Sequence, residues 1–487
     1  MTMLKDILKS VAVESVVGSL ETIVNGIAFD SRKVEPGFAF VAIKGTQTDG
    51  HEYIPQVLAK GCQTIIFEKY SGEIPTGVTA IQVENSSEAL GQIACNWYDH
   101  PSRKLKLVAV TGTNGKTTIS TLLHSLFSEL GYRCGLISTV ENKIGMEVSP
   151  STHTTPDALS INELLAKMVS AGCSHVFMEA SSHAIDQRRI AGLDIDGAIF
   201  SNISHDHLDY HITFENYIEA KKKLFDDLSS EAFSLVNVDD RRARVMVQNT
   251  KSRVSTFSLQ TGANFKGKIL GNTVQGLHME INGKEVWFQL VGDFNAANLL
   301  AVFGAASLLG EDEEEILLTL SALKPVRGRF ERLVLANRSI AIIDYAHTPD
   351  ALNNVLETIK SMQTDGEQLI TVVGCGGNRD RTKRPKMANT AAKMSTQVIL
   401  TSDNPRNEDP KTIIMEMMEG VPISARRKVA IVEDRELAIR EALSLAKPGD
   451  VVLIAGKGHE TYQEIQGVKY PFDDREKVLE NQNLITT

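Results

Sequence analysis

Residues Val108 to Thr118 read VAVTGTNGKTT, an apolar β-type run that breaks into a glycine-rich turn and ends in Gly115-Lys116-Thr117. Few folds accommodate such a segment. The apolar run suits a buried strand, the glycines allow a sharp turn, and the residues from Lys116 onward suit the start of a helix. A strand that feeds a helix N-terminus in this way aims backbone N–H groups at one point, which favours an anion there. The general phosphate loop has a glycine five residues before its second one, and that position is Val110 here. Gly112 stands instead, only three residues before Gly115. Gly112, Thr113, Asn114, Gly115, Lys116, Thr117 and Thr118 are therefore expected to cradle a nucleoside triphosphate. Lys116 would neutralise phosphate charge, and the Thr117 hydroxyl would hold a magnesium ion.

The chain has 487 residues, which points to about three folding units. A net charge of −10 argues against a nucleic-acid partner, because phosphate backbones require clustered positive charge. It does not exclude a phosphate-bearing small molecule, which local lysines and arginines can serve. Five cysteines (62, 95, 134, 173 and 375) form no CxxC pair, so neither a disulfide framework nor a zinc cluster is indicated. They are expected to be buried small residues in a reducing compartment. The opening MTMLKDILKSVAVESVV is amphipathic rather than a signal peptide, and no apolar run reaches ~18 residues. A cytoplasmic protein without membrane insertion is expected, and a monomer.

The pattern is α/β throughout, in three stretches: 1–101, 102–325 and 326–487. In the first, Phe38–Ile43 and Thr64–Phe67 read as strands, and a helical pattern over Ser87–Tyr98 runs into Asp99-His100-Pro101-Ser102 as a linker. The second opens with a strand at Leu105–Val110 and continues through His175–Met178 and Gly197–Phe200, which fits a mostly parallel sheet covered on both faces. From Ser252 to Leu290 the character changes to alternation with an Asn282-Gly283 turn, typical of antiparallel hairpins. The acidic run Glu311–Glu315 should open a helix on the surface. Beyond Lys324–Gly328, the runs Ile340–Asp344, Leu369–Val373, Gln397–Thr401 and Val451–Ala455 have the spacing of a doubly wound, Rossmann-like unit.

Three further segments carry chemistry. Glu179 follows a strand and could ligate magnesium or merely cap a turn. The run NISHDHLDYH, residues 202–211, holds three histidines and two aspartates, but without thiolates or an HExxH spacing it does not specify zinc. On spacing alone, Lys221, Lys222 and Lys223 read as a solvated helix face, and nothing singles out Lys221.

Taken together, TGTNGKTT, EASSH, NISHDHLDYH, YIEAKKKLF, GDFNAANLLA, VRGRFE and DYAHTPDAL occur in the order found in the Mur ligases. The resemblance runs from about Asp30 to Glu460. Those enzymes use ATP to build the peptide stem of bacterial cell-wall precursors, and the resemblance implies a three-domain fold. It implies a UDP-binding first domain, a central ATP-binding domain and a third domain that takes the amino acid. Lys221 resembles the family's lysine that carbon dioxide converts to a carbamate, while Thr117, Glu179 and His207 resemble its magnesium ligands. Asn295 and Asn298 resemble its adenine contacts, Arg329 its nucleotide-phosphate arginine and Asp344 its residue near the ribose and the linker. The role of His347 stays open. Lys116, Lys221, His207 and Arg329 would then be the catalytic set.

The same resemblance points to substrates. Ser31, within Phe29-Asp30-Ser31-Arg32, is similar to a uridine-diphosphate contact. Thr154, Thr155, Ser181, Gln187 and Arg189 are similar to contacts with the dipeptide of UDP-MurNAc-L-Ala-D-Glu. DNPR, residues Asp403, Asn404, Pro405 and Arg406, resembles the signature of members that add meso-diaminopimelate rather than L-lysine. An arginine there suits the second carboxylate of diaminopimelate and would repel a bare ammonium. Arg379, Gly456 and Glu460 resemble the remaining contacts of that amino acid. The alternatives are a lysine-adding relative, a folylpolyglutamate synthetase, which shares the TGTNGKT logic, and a nucleotide-gated binding protein without catalysis.

Overall fold

The computed structural model describes residues 2–482 except Gln47, Thr152, Val274 and Asp365. Its framework is three sheets dominated by parallel strands. The first, of five strands, includes Phe38–Val41, Thr64–Phe67 and Thr79–Val83 in parallel, with Val13–Val17 antiparallel on one edge. The helix expected near residue 87 spans Ser86–Trp97, and Asn85 caps it by accepting from the Glu88 amide.

The second sheet has eleven strands, and its centre positions the phosphate loop. Lys106–Thr111 lies between His175–Glu179 and Gly197–Phe200, parallel to both. Five of its six residues are buried, because helices cover both faces. Three adjacent carboxyl ends thus converge, each followed by a segment of chemical interest: Gly112–Gly115, Ala180–Ser182 and Ser201–Asn202. The hairpin region is antiparallel from Phe265–Thr273 onward, and Asn282 and Gly283 take left-handed values at its turn. One part of that expectation is corrected. Arg253–Ser258 pairs in parallel with both of its neighbours and completes the central sheet before the chain changes habit. The acidic run behaves as expected: Asp312 caps the helix Glu313–Ala322.

The third sheet has six strands. Ile340–Asp344, Val451–Ala455, Leu369–Cys375 and Gln397–Ser402 run parallel in that spatial order. Their carboxyl ends again gather the segments read as chemical: Asp344–His347, Gly456–Glu460, Gly376–Arg379 and Asp403–Arg406. All five cysteines are free and buried. Among the described residues no helix is long and apolar enough to cross a membrane.

Candidate active site

A cavity of about 270 Å³, open to solvent on one side, lies at the carboxyl ends of the central strands. Its lining includes Thr113–Thr118, Glu179, His207, Lys221, Arg329 and Asp344, so residues of the second and third stretches meet there. Gly115 explains part of the loop's sequence. Its φ is +89°, and an added Cβ would stand 2.5 Å from Asn298 Oδ1. Only glycine lets the turn enter the helix Lys116–Glu129 while pressing on that asparagine.

Among the described residues, Lys116, Lys221 and Arg329 of this cavity form no ion pair with an acid. Lys116 Nζ curls back to donate to the carbonyls of Gly112 and Thr113, at 2.8 and 2.9 Å. Lys221 Nζ donates to the same Gly112 carbonyl at 2.9 Å. Burial pushes both lysines below the ordinary range, Lys221 far below, and the charge of Lys116 further disfavours that of Lys221. Arg329 stacks over Tyr345 at 4.4 Å and donates to Thr117 Oγ1 at 3.0 Å, while its Nε is buried without a partner. Buried positive groups with spare donors are the shape of a site for a polyanion.

The lysine segment corrects the sequence reading. Lys221 is 1% exposed and Lys222 4%, so a solvated face is ruled out for both. On the helix Phe214–Asp226 the buried residues include Tyr217, Ala220, Lys221, Leu224 and Phe225. That is an inward stripe at helical spacing with a lysine set in it, and the stripe was the available signal.

Glu179 is fully buried, and its two oxygens accept from the Thr139 amide and hydroxyl at 2.7 and 3.1 Å. His207 has a left-handed φ of +53°, stands 4.8 Å from the His183 ring and borders Asp206 at 3.5 Å. Burial holds its imidazole neutral, against the pull of Asp206. Among the described residues, no three His, Cys, Asp or Glu side chains form a metal cluster. Glu179, neutral His207 and the Thr117 hydroxyl are oxygen and nitrogen donors compatible with magnesium. Such an ion commonly takes few protein ligands and completes its shell with phosphate and water.

Asn298 lines the cavity, whereas Asn295 does not: its amide donates to Val291 O at 2.8 Å and its oxygen accepts from Asn298. Asp344 accepts from the Phe330 amide at 2.7 Å, and burial raises its carboxyl to about 6. His347 is pushed down to about 4 by burial and lines the same cavity.

Beside the loop lies a hydroxyl-rich cluster. Thr155 Oγ1 donates to Glu179 O at 2.8 Å, and Thr154 Oγ1 accepts from Thr139. Ser181 caps the helix Ser182–Asp186. Arg189 reaches the Thr155 carbonyl at 2.9 Å and grips Gln187 Oε1 at 2.6 Å. Thr154, Thr155, Ser181, Gln187 and Arg189 therefore form one continuous patch. Ser31 is not part of it: it is buried in the first sheet's region, where Lys60 donates to its carbonyl.

The third-sheet residues form a separate, charge-paired cluster. Arg406, at φ +51°, pairs with Glu464 at 3.2 Å and donates to Gly377 O at 2.8 Å. Glu460 accepts from Lys457 and Asn404, at 2.9 and 2.8 Å. Asp403 is buried, and its Oδ1 accepts from the next amide, while Lys457 and Arg435 oppose the effect of burial and hold its carboxyl low. Gly456 lies over Asp403 Oδ2, where a Cβ would come within 2.8 Å. Arg379 is exposed and has no ion pair among the described residues. His459 and Tyr345, with rings 4.9 Å apart, bridge this cluster to the cavity. Tyr345 and Lys457 were marked only as members of DYAH and of the loop Gly456–Glu460, without roles of their own, and Glu464 carried no sequence signal.

A central phosphate loop flanked by two α/β units defines an ATP-dependent ligase architecture, and comparison with known proteins agrees. Residues 23–98 match the Mur ligase family, catalytic domain, 110–306 the Mur ligase middle domain, and 328–458 the Mur ligase, glutamate ligase domain. The chain belongs to the Mur ligase family. It is 57% identical to the UDP-N-acetylmuramoyl-L-alanyl-D-glutamate–2,6-diaminopimelate ligase of Cytophaga hutchinsonii, over 97% of each chain. It is 52% identical to the enzyme of that name in Bacteroides fragilis, over 98% of each. A solved structure bearing the same enzyme name shares 34% identity, with a TM-score of 0.70 over 99% of both chains. Folylpolyglutamate synthase of Mycobacterium tuberculosis, in complex with ADP, shares the fold at 17% identity and TM-score 0.62, covering 77% of this chain and 92% of its own.

Proposed function

We propose that this protein uses ATP to join meso-diaminopimelate to the D-glutamate side-chain carboxylate of UDP-MurNAc-L-Ala-D-Glu. The observation that carries the reading is the pairing of a cavity whose lysines and arginine form no ion pair among the described residues with a charge-balanced cluster at the ends of the neighbouring sheet. The full-length likeness to ligases of that name supports the choice of substrates. The units 1–101, 102–325 and 326–487 would take the uridine diphosphate end, ATP and the amino acid respectively. A monomer in the cytoplasm completes the reading.

A free carboxylate is a poor electrophile, so the acid needs a leaving group. Its oxygen attacks the γ-phosphorus, the bond to the bridging oxygen breaks, and ADP departs from an acyl phosphate. The amine nitrogen then attacks the acyl carbon through a tetrahedral intermediate, phosphate leaves, and the lost proton goes to solvent or a nearby base. Lys116 and Arg329 would stabilise charge on the transferring group, and Thr154, Thr155 and Arg189 would orient the acid beside it. Magnesium, held by Thr117, Glu179 and His207, would neutralise charge on the phosphates.

Lys221 suits carbamylation. Only a neutral amine adds to carbon dioxide, and burial beside Lys116 favours the neutral form. The nitrogen–carbon bond forms, a proton leaves, and a would-be cation becomes an oxygen donor. A phosphate-release assay with ATP, the uridine-linked dipeptide and either meso-diaminopimelate or L-lysine tests the function. Release that requires the dipeptide and diaminopimelate is expected. ATP splitting indifferent to both would overturn the reading.

A further inference from the structure

Glu408 stands two residues beyond Arg406 and takes no part in the cavity or in the pairing of Glu460. Its carboxylate is nonetheless crowded with donors. Oε1 accepts from the Asn378 amide and from Arg384 Nη2 at 3.0 Å; Oε2 accepts from Arg381 Nη2 at 2.8 Å and Arg384 Nη1 at 3.0 Å. Hydrogen bonds from Arg384 lead the effects that hold this acid down to about 2. Arg384 is fully buried and keeps a second partner, Glu416, at 2.6 Å.

These contacts join two loops. One contains Asn378 and Arg379, the other Arg406. The loops also exchange Gly377 N to Asn404 O at 2.9 Å and Asn407 N to Asn378 Oδ1 at 3.1 Å. Asn378, the residue before Arg379, has a left-handed φ of +53°, and Arg406 has one of +51°. The directions of both guanidinium groups thus follow from backbone conformations that Glu408 and its partners hold in place. Loops left to themselves are mobile, whereas bidentate recognition of a carboxylate tolerates little displacement.

We propose that Glu408 is a positioning residue for the amine substrate. It fixes the spacing of Arg379 and Arg406, and so favours a diamino acid with a second carboxylate over L-lysine. The inference rests on the functional reading above and adds a residue through which its selectivity acts.

Steady-state kinetics of the full chain test it, with Glu408→Gln and Arg381→Met. Glutamine preserves the shape and an oxygen for the Asn378 amide, and Arg384 retains Glu416, so a folded variant is expected. Arg381 is 62% exposed, so Arg381→Met decides the matter if Glu408→Gln proves unstable. Expected for Glu408→Gln is a KM for meso-diaminopimelate raised roughly tenfold, with a few-fold rise for Arg381→Met. KM for ATP and for the dipeptide should stay within about twofold, as should kcat, and use of L-lysine should not fall, so discrimination between the amines narrows. An unaltered KM for diaminopimelate in folded variants would overturn the inference, and so would a parallel rise for all three substrates with a lower melting temperature. A wild-type chain indifferent to diaminopimelate removes the functional reading, and this inference with it. A wild type that uses diaminopimelate beside an unaltered Glu408→Gln removes the inference alone.

Discussion

The phosphate-loop cavity and the third-sheet cluster both gather positive side chains at strand ends, yet they treat them in opposite ways. In the cavity, among the described residues, Lys116 and Lys221 donate to main-chain carbonyls and a threonine hydroxyl rather than to acids, and Arg329 keeps a buried nitrogen free. In the cluster, Arg406 faces Glu464, Lys457 faces Glu460, and Arg435 faces Asp474 at 2.7 Å. Unpaired charge is costly to bury and is relieved by an incoming polyanion; paired charge is already satisfied and suits a ligand bearing both signs. On the function proposed above, the contrast would separate a site for phosphates from one for a zwitterion.

The largest effect should come from the cavity. Lys221→Ala is expected to lower kcat by about 10³-fold or more, with partial recovery on adding short carboxylic acids that replace the lost oxygen donor. Near-normal turnover in that variant would break the contrast at its sharpest point. Arg406→Ala comes next: loss of a partly buried guanidinium should raise KM for diaminopimelate by about 2–4 kcal/mol equivalent, with the KM for ATP unmoved. An equal change in both constants would mean that the two regions are not separate sites.

The smallest effect concerns a buried group outside the cavity lining. His124, on the phosphate-loop helix, is 5% exposed, and backbone hydrogen bonds to Cys134 and Gly145 only partly offset the cost of its burial. Burial lowers it from 6.5 to about 4. The folded state prefers the neutral ring, so its contribution is whole above pH 6.5 and is lost as the pH falls through 4, by ~3 kcal/mol at most. Melting temperatures measured from pH 7 to 4 should fall less steeply for His124→Leu than for wild type, with activity at pH 7 retained. Parallel curves would show that acid sensitivity arises elsewhere.

Much of the framework was legible because it is local. Strand–turn–helix at Val108–Thr118, the runs ending at Asp344 and Ala455, and the Asn282-Gly283 turn are written in contiguous residues. The burial of Lys221 was legible only through the inward stripe of its helix, because the groups that enclose it come from elsewhere, among them a carbonyl 109 residues away. Sequence could not place Asn295 behind Asn298, since that follows from how one helix face packs against Val291. The Arg253–Ser258 strand was misjudged because side-chain alternation does not reveal whether a strand's neighbours run parallel or antiparallel to it.

One close approach ties the two regions together. At Gly328 an added Cβ would stand 2.2 Å from His459 N, and at Gly458 one would stand 2.6 Å from Gly328 O. Neither backbone can yield a side chain's width to the other. The segment holding Arg329 and the turn leading to Glu460 are therefore pressed backbone to backbone, and a side chain at either glycine would pry the two apart.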